Sequence, residues 1–104
     1  MAADPETTRQ MLATLWQKML PITSQRVAVL ERAAQQAHAG ALDATLLQQA
    51  VAEAHKLAGS LGMFGYGQGT ELARSFEQHL ENESSPDAAR LLALATELRA
   101  LIER

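Results

Sequence analysis

The chain has 104 residues and contains no cysteine, three prolines, and one Trp, one Tyr and two Phe. Without cysteine there can be no disulfide framework, thiol nucleophile or cysteine-based zinc site, and a reducing cytoplasmic location is the expectation. β-Branched and aromatic residues are scarce, and no segment reads convincingly as a strand. Long apolar runs are also missing. The longest, Leu91-Leu92-Ala93-Leu94-Ala95, falls far short of the roughly 20 residues needed to span a membrane. The opening Met-Ala-Ala-Asp-Pro-Glu-Thr-Thr lacks both the basic start and the apolar stretch of a signal peptide, so the chain is expected to be soluble with no membrane partner. Nine basic residues stand against twelve acidic ones, a formal charge of −3. No cluster of Lys and Arg could neutralise a row of phosphates, which argues against nucleic acid.

Alanine, leucine, glutamine and glutamate dominate, and they favour helix almost everywhere. Capping chemistry divides the chain. Asp4-Pro5-Glu6 supplies an N-cap, a first-position proline and an acid suited to the helix dipole, opening a helix that carries Met11, Leu12, Leu15, Trp16 and Met19. Pro21 is expected to end or sharply redirect it. A second helix runs from about Pro21 to Ala39 with Val27, Leu30 and Ala34 on one stripe, and Gly40 terminates it. Asp43 caps a third, which carries Leu46, Leu47, Ala50, Val51, Ala54, Leu57 and Leu61. Beyond a glycine-rich connection, Leu72, Ala73, Phe76 and Leu80 mark a fourth, stopping around Asn82 to Ser85. Ser85-Pro86-Asp87 repeats the opening signature, and Leu91, Leu94, Leu98, Leu101 and Ile102 line the last helix. Short connections make neighbouring helices antiparallel. The expected fold is all-α: one domain over residues 1–104, an up-down-up-down four-helix bundle with an additional N-terminal helix. The initiating methionine and the end-to-end helical pattern suit a unit that folds independently.

One histidine stands apart. On the third helix Leu47, Ala50, Ala54, Leu57 and Leu61 cluster within an arc of about 80°, at roughly 100° of turn per residue, and define the buried direction. His55 lies well outside that arc and faces outward. Its neighbours one turn away are Val51, Ala52, Ala58 and Gly59, with Gly62 two turns on, so the imidazole stands above a shallow floor. Glycine inside a helix costs on the order of 1 kcal/mol relative to alanine, and close approach by another surface would account for Gly59. An exposed imidazole has an ordinary pKa near 6.5, which leaves a neutral nucleophilic nitrogen available at cytoplasmic pH. Lys56 is next in sequence; its long stem could bring positive charge to a transferred phosphoryl group, or it could be a solvated surface lysine.

At His55, Leu57, Gly59 and Ser60 the sequence resembles the histidine-containing phosphotransfer (HPt) domain of multistep two-component signalling. The likeness continues through Leu61-Gly62-Met63-Phe64-Gly65 into Glu71-Leu72-Ala73-Arg74-Ser75-Phe76-Glu77. It implies that His55 accepts a phosphoryl group and that Gly59 makes room for a receiver domain carrying the reactive aspartate, with Ala52, Lys56 and Gly62 on the docking surface. Many members have lysine three positions after the histidine, where this chain has Ala58. Members often orient the imidazole with a glutamine on the following helix, for which Gln78 is the candidate. The implied partners are response-regulator receiver domains and a sensor histidine kinase, and the domain is expected to be a monomer. No cofactor is expected in the domain itself, the divalent ion arriving with the receiver. The domain would be a phosphotransfer intermediate without autonomous kinase activity.

Other readings fare less well. Gly65-Tyr66-Gly67-Gln68-Gly69 lies between helices, whereas glycine-rich phosphate loops follow a strand; a flexible connection whose Phe64 and Tyr66 rings seal the end of the bundle is the plainer reading. His38, His55 and His79 have no pair at the three- or four-residue spacing that sets two metal ligands on one helical face. The competing function is a helical adaptor that binds a signalling partner without being phosphorylated, with His55 and Gly59 as contact residues only.

Overall fold

A computed structural model of the protein describes residues 4–82 and 86–104. Among them are four helices: α1 (Pro5–His38), α2 (Ala44–Met63), α3 (Gly67–Asn82) and α4 (Ala88–Ile102). Side-chain caps start three of them. Asp4 accepts from the Glu6 amide at 3.2 Å, Asp43 from Leu46 at 2.7 Å and Asp87 from Arg90 at 3.2 Å. The expected start at Ser85 becomes a start at Ala88: Pro86 precedes the helix, Asp87 is the cap, and Ser85 lies outside the described residues. Two glycines close helices in the left-handed region. At Gly40 (φ +71) the amides of Gly40 and Ala41 donate to Ala37 and Gln36, and at Gly65 (φ +86) those of Gly65 and Tyr66 donate to Gly62 and Leu61. Each pair satisfies carbonyls that the helix end leaves open.

The additional N-terminal helix is not a separate element. α1 runs unbroken through Pro21 for 34 residues. Proline removes one amide and crowds the carbonyl four residues earlier. Here Pro21 and Gln17 are both exposed, so the disturbed turn lies on the solvent side of the helix. On the opposite side Trp16, Leu20 and Thr23 pack inward and hold the two halves in line. The glycine-rich connection is also shorter than expected. Only residues 64–66 separate α2 from α3, and Gly67 and Gly69 belong to the helix.

The pairs in contact are α1 with α2, α2 with α3, α3 with α4, and α4 with α1, which closes a four-membered ring. Contacts between chain neighbours run in opposite directions. Arg26 meets Glu53 at 3.4 Å while Trp16 meets Phe64 and Tyr66 at ring separations of 5.4 and 4.8 Å, so α2 descends as α1 rises. Val27, Leu30, Leu57, Leu61, Phe76, Leu91, Leu94 and Leu98 are buried at the centre, each side chain contributing about 1.5–3 kcal/mol. At the α1–α4 seam the Arg99 guanidinium donates to Glu31 at 2.7 and 3.3 Å and to Ser24 at 2.6 and 3.1 Å. Hydrogen bonding to Glu31 is the main cause holding the Arg99 pKa above its ordinary value, partly opposed by burial.

Candidate functional site

α2 buries Ala50, Ala54, Leu57, Ala58 and Leu61 against the other helices. The same periodicity that commits those positions to the core turns His55 outward, and its side chain is 79% exposed. α3 lies alongside in the opposite direction, tied near its start by Thr70 Oγ1, which donates to the Ala58 carbonyl at 2.7 Å. That register brings Glu77 level with the histidine. His55 Nδ1 is 3.3 Å from Glu77 Oε2, and the glutamate side chain is only 18% exposed. The contact is electrostatic: a carboxylate beside Nδ1 attracts positive charge on the ring at that side.

The imidazole forms one edge of a groove of about 360 Å³ between α2 and α3, lined by His55, Ala58, Gly59, Arg74, Glu77 and Gln78. The floor is low because the sequence makes it so. Ala58 contributes a buried methyl group, and a Cβ built on Gly59 would meet nothing within 4 Å. Internal packing therefore does not require glycine at position 59. Gly62 differs: a Cβ there would come within 3.0 Å of Thr70 Oγ1, so its small size serves the α2–α3 contact as well. Ala52 and Gly62 are exposed on α2 outside the lining of this groove. Ser60 Oγ is buried with no hydrogen-bond partner among the described residues.

Two roles fall to residues other than those expected from sequence to fill them. Gln78 shares the groove, but the group facing Nδ1 is the Glu77 carboxylate one position earlier. Lys56 Nζ rests 3.4 Å from Glu53, which also meets Arg26, and these three line a separate polar groove between α1 and α2. The cation in the histidine's own groove is Arg74. Arg74, Glu77 and Gln78 follow i, i+3, i+4 spacing on α3, opposite the buried Ala73, Phe76 and Leu80. The polar stripe is readable in the sequence, whereas its register against α2 is set by packing. His38 is exposed at the end of α1 and His79 half-buried on α3. Among the described residues no group of three or more His, Cys, Asp and Glu is placed to hold a metal ion, and no helix is long and apolar enough to cross a membrane.

The family model described as the Hpt domain matches residues 8–104. The chain belongs to the Hpt domain family. Comparison with curated proteins and with solved structures gave no significant match. Hpt domains are helical bundles that serve histidine phosphotransfer in two-component phosphorelays, where they meet receiver domains and kinases. Within this Hpt domain His55 is exposed on α2, the helix that also bears Gly59 and Ser60.

Proposed function

We propose that His55 takes a phosphoryl group from the aspartyl phosphate of a receiver domain, or from an upstream histidine kinase, and passes it to the aspartate of another receiver. The observation that carries this reading is the pairing of Nδ1 with Glu77 on a side chain otherwise open to solvent. In the first step the Nε2 lone pair attacks phosphorus, the N–P bond forms, and the P–O bond to the receiver aspartate breaks to release its carboxylate. The Nδ1 proton stays in place, and the positive charge that develops on the ring faces Glu77. The reverse displacement delivers the phosphoryl group to the next aspartate and returns neutral imidazole as the leaving group. Glu77 acts as a positioning residue, holding the ring plane and the tautomer through both steps.

Phosphoryl transfer depends on in-line placement and charge neutralisation more than on acid–base chemistry. The domain is proposed to supply the nucleophile and an unobstructed approach over Ala58 and Gly59, while the divalent ion arrives bound to the receiver. Ala52 and Gly62, small and exposed on the same helix, extend the surface a receiver would cover. Incubation with a radiolabelled phosphoreceiver should move label to the domain in a form lost in acid and retained in alkali, as expected for a phosphoramidate. His55→Gln should abolish it. Label that appears equally on the His55→Gln protein would overturn the assignment, and binding of the receiver without any label would favour the adaptor.

A further inference from the structure

We infer that Arg74, reaching from α3, is the cation that meets the phosphoryl group on His55, and that Lys56, adjacent in sequence, is not. The inference rests on His55 being the phosphorylated residue.

The placement follows from helix register. Glu77 stands beside His55, while Thr70 reaches Ala58 and Gly62, so a step along α3 toward its start is a step along α2 toward its end. Arg74 lies three residues before Glu77, about 4.5 Å along the axis at 1.5 Å per residue. This brings it alongside Gly59, where no side chain fills the groove and a Cβ would touch nothing. Of the residues that line the groove edged by His55, Arg74 is the only arginine or lysine.

The cation next to His55 in sequence is already committed. Lys56 and Arg26 both lie against Glu53 in the α1–α2 groove, and Arg99 is bound to Glu31. Arg74 enters none of the ion pairs among the described residues. Position 58, one turn past the histidine, offers a buried methyl group and no charge. A phosphoryl group carries close to two negative charges at neutral pH, and a planar guanidinium with paired donors matches its oxygens better than an ammonium does. An exposed, unpaired arginine beside a nucleophile is therefore matched to the product of the reaction rather than to the resting ring.

The test uses phosphoramidate, a small donor that needs no docking surface, alongside a phosphoreceiver. The unaltered chain and His55→Gln establish whether His55 is labelled at all; failure here removes the functional reading itself. Given labelling, Arg74→Ala should lower the rate from both donors by about tenfold or more, Arg74→Lys should recover part of it, and Lys56→Ala should leave the phosphoramidate rate within about twofold. The ³¹P resonance of phospho-His55 followed against pH should show the phosphoryl group holding its last proton to higher pH in Arg74→Ala, a change that a purely structural role would not cause. Unchanged phosphoramidate labelling and an unchanged ³¹P titration in Arg74→Ala, or a loss of phosphoramidate labelling confined to Lys56→Ala, would overturn the inference.

Discussion

Gly59 separates stability from access. A helical glycine with free space around its Cβ position costs stability without serving the fold, so Gly59→Ala should raise the free energy of unfolding in urea by about 0.5–1 kcal/mol. Gly59→Trp should fold as well but slow labelling of His55 by a phosphoreceiver, because an indole would stand where the receiver must approach. A destabilised Gly59→Ala protein would show that the space is not free. The role proposed for Glu77 is complementary, governing the ring and not the approach. Glu77→Ala should cut the single-turnover transfer rate roughly tenfold or more, in line with the loss of a catalytic orienting partner, with Glu77→Gln between the two. ¹⁵N spectra of His55 should then show less of the Nδ1–H tautomer. At this scale the histidine, its exposure and its bare floor were legible in sequence, because helical periodicity alone fixes them. The carboxylate beside it was not: Glu77 comes from a neighbouring helix, and choosing between Glu77 and Gln78 needs a register that only packing sets.

The helix ends were legible wherever a short polar side chain or a left-handed glycine does the work, as at Asp4, Asp43, Gly40 and Gly65. Asp43→Ala should cost about 0.5–2 kcal/mol, the usual range for a lost N-cap, measurable as a lower urea midpoint. The errors fell where tertiary structure overrides local preference. Gly67 and Gly69 read as loop because glycine is a poor helix former. Gly69 is inside α3 because a Cβ there would lie 2.7 Å from Leu101 Cδ2 and 2.8 Å from Leu61 Cδ1; the packing of three helices selects glycine at that point. Pro21 read as a boundary for the same reason in reverse. Its penalty falls on the exposed side of α1, while Trp16 and Leu20 anchor the inner side.

α1 is far longer than the bundle it helps to build. Its 34 residues extend about 51 Å at 1.5 Å per residue, matching a molecule that measures 54 × 22 × 21 Å. The first buried residue of α1 is Thr23, and Met11, Leu12, Leu15 and Ile22 remain exposed, so the front half is supported mainly by the stack of Trp16 on Phe64 and Tyr66. The stretch before Trp16, residues 5–14, is about three turns, a length at which an isolated helix is marginal in water. Amide hydrogen exchange should therefore be fast over residues 5–14 and slow over 23–38, with protection stepping up near Trp16. Phe76, wholly buried at the centre, should behave oppositely to the overhang: Phe76→Ala should cost about 3–5 kcal/mol of global stability, whereas Met11→Gln or Leu15→Gln should change it by no more than about 0.5 kcal/mol. Trp16→Ala discriminates between local and global support. If the aromatic stack is what carries the front half, this substitution should extend fast exchange toward residue 20 while leaving the amides around His55 protected, because α2 is held from its other side by α3. Uniform protection along all of α1, unchanged in Trp16→Ala, would mean that the front half is supported by contacts other than this stack.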